Sequence, residues 1–192
     1  QGTDFIMTLP YLEKVEPVNQ TSPEGLIDVI LEATQHYLSE HLKVAYGEVN
    51  KSMTNTIRLK AVTAIIGVRG AVNGLVVLSI SKQLAEKMMD AYLYEPVPEE
   101  EKSQYLSDVL GEITNTILGQ AVGMIDDKDG MLHIGVPAMM QNEGTLIKYT
   151  QYEIHSAEFG SNDQQEMSVS LFPMDQLDGE DNAIIEEVLN NG

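Results

Sequence analysis

Asp108, Glu112 and Asn115 recur in helical step, with Gly119 one turn further on. Intervals of i, i+4, i+7 and i+11 draw one continuous ridge along an α-helix. With Leu106 as origin and about 100° per residue, Val109, Leu110, Ile113, Ile117 and Ala121 fall within about 60° of one direction. The polar set falls on nearly the opposite side. An acid and an amide are therefore expected to stand together in solvent on a rigid scaffold. Neither is a strong nucleophile. A carboxylate can pair with a lysine brought by a partner, and a carboxamide can orient a water because it both donates and accepts hydrogen bonds. Gly111, Gly119 and Gly123 each cost a helix roughly 1 kcal/mol against Ala, and bare backbone admits another chain closely. The plainer alternative is a solvated face with no chemistry.

The helix that carries the ridge is expected to start at Glu99, Glu100 and Glu101, where acids complement the helix dipole, and to reach about Ile125. Ser22-Pro23-Glu24 is another helix start, a capping hydroxyl followed by a first-turn proline. Leu26, Val29, Ile30, Ala33 and Tyr37 carry that helix to about Leu42. Residues 57–69 and 74–80 are rich in β-branched side chains, and Gly70 and Asn73-Gly74 separate them as a hairpin. Ser81 caps a short helix to about Tyr94. Residues 131–137, 144–159 and 166–172 read as strands, with Gly144 and residues 160–163 as turns, and residues 126–130 form a further turn. The expected fold is α/β in the α+β sense: a mostly antiparallel sheet with two long helices on one face and a shorter helix between the hairpins. Residues 1–21 form an N-terminal arm, 22–174 the domain, and 175–192 an acidic tail.

LIDVILEATQ (26–35) aligns with LSDVLGEITN (106–115), so that Leu, Asp, Val and Glu coincide and Gln35 stands where Asn115 stands. Duplication explains this match, and so does chance similarity between two amphipathic helices.

Charge and composition narrow the function. The 192 residues hold 11 Lys and Arg against 30 Asp and Glu, a formal net charge of −19, and no Cys. Such a chain repels nucleic acid and anionic membrane surfaces. It has no disulfides, thiolate metal sites or Cys nucleophiles. No apolar run approaches the length of a membrane span, and residues 1–10 lack the features of a signal peptide, so a cytoplasmic protein is expected. His36, His41, His133 and His155 are scattered. Glu32 and His36 have a metal-ligand spacing that suits a surface pair better, and residues 126–130 lack the glutamate of a calcium loop. No metal site is expected.

Glu-x-x-Asn occurs three times, at Glu16/Asn19, Glu112/Asn115 and Glu187/Asn190. Only the middle copy has an Asp four residues before the Glu and a Pro, Pro137, 22 residues after the Asn. This pattern resembles the signature of the CheC/CheX/FliY family of chemotaxis phosphatases. DVLGEITNTILGQAV (108–122) looks like that family's active-site helix, and residues 66–89 look like its first hairpin and following helix. The resemblance covers roughly residues 22–174.

The resemblance implies an enzyme that dephosphorylates a CheY-type response regulator. Glu112 would pair with the lysine beside the regulator's phosphoaspartate, and Asn115 would align water for in-line attack. Asp108 and Pro137 would be supporting residues. This chain would bind no cofactor, since Mg²⁺ would come on the phosphorylated regulator. Family members carry one or two active helices. Here Asp28 and Glu32 are followed by Gln35, one methylene longer than Asn, and Ile57 stands at the proline's position. The first site is therefore read as degenerate, which favours a CheX-like assignment and a homodimer joined through sheet edges. The rival reading is a non-catalytic adaptor that docks a response regulator or a flagellar-switch component.

Overall fold

The hydroxyl of Ser22 accepts a hydrogen bond from the Gly25 amide at 3.1 Å, and Pro23 opens helix α1, Pro23–Leu42. The helix ends at Lys43, whose left-handed φ of 54° lets its N–H return to the Ser39 carbonyl at 3.2 Å. These coordinates are a computed structural model describing residues 22–43, 49–93, 97–98, 100–125, 132–141, 143–161 and 164–174. The N-terminal arm, the acidic tail and the expected turn at 126–130 lie outside the described residues.

Ser81 caps α2, Lys82–Tyr92, by accepting from the Leu84 amide at 3.2 Å. The third helix, α3, spans Lys102–Met124 and begins after the expected acids, with Glu100 and Glu101 just ahead of it. Among the described residues no side chain caps it. The Pro98 carbonyl accepts from the amides of Glu101 and Lys102, at 3.0 and 3.1 Å, and turns the chain into the helix.

Among the described residues nine strands follow one another: β1 Asn50–Thr54, β2 Thr56–Arg58, β3 Val62–Arg69, β4 Gly74–Ile80, β5 His133–Ile134, β6 Ala138–Met140, β7 Leu146–Lys148, β8 Ile154–Ser161 and β9 Gln164–Pro173. The main sheet is antiparallel, in the order β1-β8-β9-β4-β3-β5, with β6 also on β3. Strands β2 and β7 pair separately. Strand alternation gives the sheet two apolar faces. Val62, Ala64, Ile66 and Val68 of β3 join the helices in the larger core, together with Leu78, Phe159 and Leu171. Leu59, Val77, Ile154 and Phe172 face the other way, where Ile57 and Ile147 of the β2–β7 ribbon cover them.

That second layer corrects the expected single strands at 57–69 and 144–159, each of which is broken in two. An apolar face left in water would lose its burial free energy, and the first part of each run leaves the main sheet to cover it. The Leu59 amide donates to the Thr145 carbonyl and the Gly144 amide to the Leu59 carbonyl, both at 2.8 Å. The Lys60 amide meets the Ser79 hydroxyl at 2.7 Å, so this donor keeps a partner through the break. Of the expected strand at 131–137 the described residues form only β5, His133–Ile134; residues 135–137 lie outside the sheet ladders and β6 follows beyond them at Ala138–Met140.

The strand order decides for duplication. The two halves run α1-β1-β2-β3-β4 and α3-β5/β6-β7-β8-β9. Strands β4 and β9 meet at the centre, β3 and β8 flank them, and the first strand of each half sits on the other half's outer side. The two ribbon strands pair with each other. Buried hydroxyl pairs repeat as well, Thr63–Ser79 at 2.9 Å and Ser156–Ser170 at 2.8 Å. Thr34 and Thr114, at matched places on α1 and α3, are both buried.

Candidate functional site

Helix α3 seats its apolar stripe as its periodicity predicts, with Leu106, Val109, Leu110, Ile113, Ile117 and Ala121 all buried. Asp108, Glu112, Asn115 and Gly119 are exposed along the opposite side. Among the described residues no ion pair or side-chain hydrogen bond engages the Asp108 or Glu112 carboxylate or the Asn115 amide. At Glu112 it is the backbone carbonyl that accepts, from the Thr116 hydroxyl at 2.9 Å.

The segment between β5 and β6 faces this ridge. Gly135 is tied to β3, its amide donating to the Gly67 carbonyl at 2.8 Å. Val136 and Pro137 then run outside the strands, and Pro137 has no N–H to give a ladder. Gln141, just past β6, holds the segment to the first turns of α3. Its amide nitrogen donates to the Ser103 carbonyl and the Ser107 hydroxyl, both at 2.7 Å, while the Ser103 hydroxyl donates to its carboxamide oxygen at 2.9 Å. Between these two attachments lies an open groove of about 400 Å³. Asp108, Glu112 and Asn115 form one wall, Val136 and Pro137 the other, and Tyr92 and Met139 contribute as well. A second cavity of about 380 Å³ shares Asn115 and runs on past Gly119, Val122 and His133. Burial raises the Tyr37 hydroxyl pKa above its ordinary value, and nearby Tyr92 adds to the effect.

The four-residue pattern is thus assembled around one groove, Asp108, Glu112 and Asn115 on the helix and Pro137 opposite. The arrangement suits a cation at the carboxylates and a water at the carboxamide. Sequence reasoning missed Tyr92, Ser107, Val136 and Met139. The one available signal was the adjacency of Val136 to Pro137.

The equivalent place on α1 is built differently. Asp28 forms an ion pair with Lys51 of β1. His155 Nδ1 lies 3.3 Å from a Glu24 carboxylate oxygen. The hollow here is about 230 Å³ and is lined by Asp28, Lys51, Met53 and His155. Glu32 is exposed and Gln35 half-buried, and neither lines it. His36 and His41 are exposed on the same helix. Among the described residues no group of three or more His, Cys, Asp or Glu side chains is placed to hold a metal ion, and no helix is long and apolar enough to cross a membrane.

The fold recurs in known structures. A crystal structure of chemotaxis protein CheX from Desulfovibrio desulfuricans superposes with a TM-score of 0.63 at 22% identity, covering 78% of this chain and 99% of that one. A CheC-like superfamily protein from Shewanella gives 0.62 at 19% identity, over 79% and 97% of the two chains. The Borrelia burgdorferi CheX–CheY–BeF₃–Mg²⁺ complex gives 0.60 at 21% identity, over 78% and 98%. No curated protein matches the sequence. At such identities the likeness is one of fold. A family model described as chemotaxis phosphatase CheX matches residues 62–160, a stretch that takes in the whole of α3 and Pro137. Because that match spans just over half of the 192 residues, the chain belongs to the CheX family.

Proposed function

We propose that this protein hydrolyses the aspartyl phosphate of a CheY-type response regulator. The observation that carries the reading is an exposed acid and amide on one ridge, unengaged by other described side chains and facing Pro137 across a groove. The Glu112 carboxylate pairs with the regulator's active-site lysine and fixes the register of the two proteins. The Asn115 carboxamide enters the regulator's acidic pocket and holds a water in line with the acyl phosphate. Water oxygen bonds to phosphorus, the bond from phosphorus to the aspartyl oxygen breaks, and the aspartate leaves as carboxylate. Inorganic phosphate is released, and a water proton passes to solvent or phosphate. The regulator's Mg²⁺ offsets charge on the phosphoryl oxygens. No covalent intermediate forms on this chain, and the acceleration comes from positioning and charge placement. Asp108 adds negative potential on the same ridge, and Pro137 shapes the facing wall.

The test is inorganic phosphate release from a phosphorylated CheY-type receiver domain with and without the protein. Faster release that Asn115→Ala abolishes supports the reading. An Asn115→Ala variant as active as the parent removes it. Saturable binding with an unchanged phosphate lifetime marks an adaptor instead. The same proposal makes the protein cytoplasmic and a homodimer joined at the outer strands of its sheet, which sedimentation can check.

A further inference from the structure

We propose that Val136 and Tyr92 are the docking contacts that select the partner, separate from the pair that performs chemistry. The proposal rests on the phosphatase reading, and its occupant is the surface of a receiver domain that borders the phosphoaspartate. Val136 is 83% exposed, the most exposed large apolar side chain among the described residues, and Tyr92 is 45% exposed. Both line the groove that holds Glu112 and Asn115. Val136 is not carried on a mobile tip. Gly135 before it is hydrogen-bonded to Gly67, and Pro137 after it has a fixed φ. An apolar side chain held out on restrained backbone loses little freedom when it is covered.

Charge explains why such contacts are needed. The chain carries a net −19, and a phosphorylated receiver pocket is also acidic, so the two repel at a distance. Only the short-range meeting of Glu112 with the partner's lysine is favourable. Affinity must therefore come from apolar surface buried at contact, and the apolar residues must border that meeting point. Val136 and Tyr92 do. In the adjoining cavity Val122, also partly exposed, extends the border beyond Asn115.

The experiment uses the full chain carrying Asn115→Ala, so that binding is read without turnover, and a CheY-type receiver domain held with beryllofluoride and Mg²⁺. Val136→Ala and Tyr92→Ala are each expected to raise Kd on the order of tenfold. In the otherwise unaltered chain they are expected to raise KM by the same factor and to leave kcat at saturation unchanged. Val136→Thr keeps the shape while adding a hydroxyl, and should shift Kd in the same direction by less. Because Val136 is outside the core, its variants should keep the parental Tm. Binding should tighten as ionic strength rises, since salt screens the repulsion. Kd and KM within twofold of the parent in both alanine variants overturn the proposal, as does binding that weakens with salt. Failure of the phosphatase reading looks different: the parent then releases no phosphate while the Kd shifts persist. A parent that neither binds nor hydrolyses overturns both.

Discussion

The faces of α3 and α1 descend from one unit and now differ in what stands opposite the helix. Both carry Asp and Glu four residues apart. Opposite α3 the outer strand is interrupted between Ile134 and Ala138, and the gap becomes the wall of an open groove. Opposite α1 the outer strand β1 is unbroken along five residues of β8, and its Lys51 takes the Asp28 carboxylate. Asp108 meets no cation among the described residues, and its counterpart Asp28 is neutralised from within. On this scaffold the open groove forms where the outer strand opposite the helix is interrupted.

The sharpest test of that contrast substitutes the matched amides. Asn115→Ala should slow phosphate release from a phosphorylated regulator by about a hundredfold or more, as expected when the group that orients the nucleophile is lost. Gln35→Ala should leave the rate within experimental error. Comparable losses from the two would show both faces at work. Matched acids give a smaller separation. Glu112→Gln should cost about tenfold in kcat/KM by removing one partner of a charge pair, and Glu32→Gln should cost nothing. A few-fold loss is expected for Pro137→Ala because the wall relaxes while the core is untouched, with Tm lower by only about 1–3 °C as the unfolded chain gains freedom. The smallest effect belongs to Lys51→Ala. The pair is largely exposed, so unfolding free energy should drop by only about 0.5 kcal/mol. Combined with Gln35→Asn it should create no second site, and calorimetry should still count one regulator per chain. Two would show that the lysine alone, without β1, closes that face.

Local chemistry made part of this architecture readable. Ser22-Pro23 and the apolar period placed α1 within a residue of its bounds, and the same period showed which side of α3 faces water. The first hairpin was legible from Asn73-Gly74 and its β-branched flanks. Strand β1 was not, because Asn-Lys-Ser-Met-Thr has no apolar alternation and exists by pairing with β8, far away in sequence. The splitting of two long runs was hidden for a related reason. Whether Ile57 continues a strand or turns to cover Val77 and Phe172 depends on a face that only the assembled sheet possesses. In the site, the acid and amide were visible by type and spacing. Val136 was marked only by its place beside Pro137, since an exposed valine otherwise announces itself only through its three-dimensional neighbours.

The exchanged outer strands have a consequence for how the molecule arose. Because β1 lies on β8 and β5–β6 on β3, neither half holds a finished sheet of its own. A forerunner of half the length could have reached this fold only as two identical chains trading their edges about a twofold axis. Joining them end to end freed the two faces to change separately without unravelling the shared sheet, a liberty that a symmetric pair of identical chains never has.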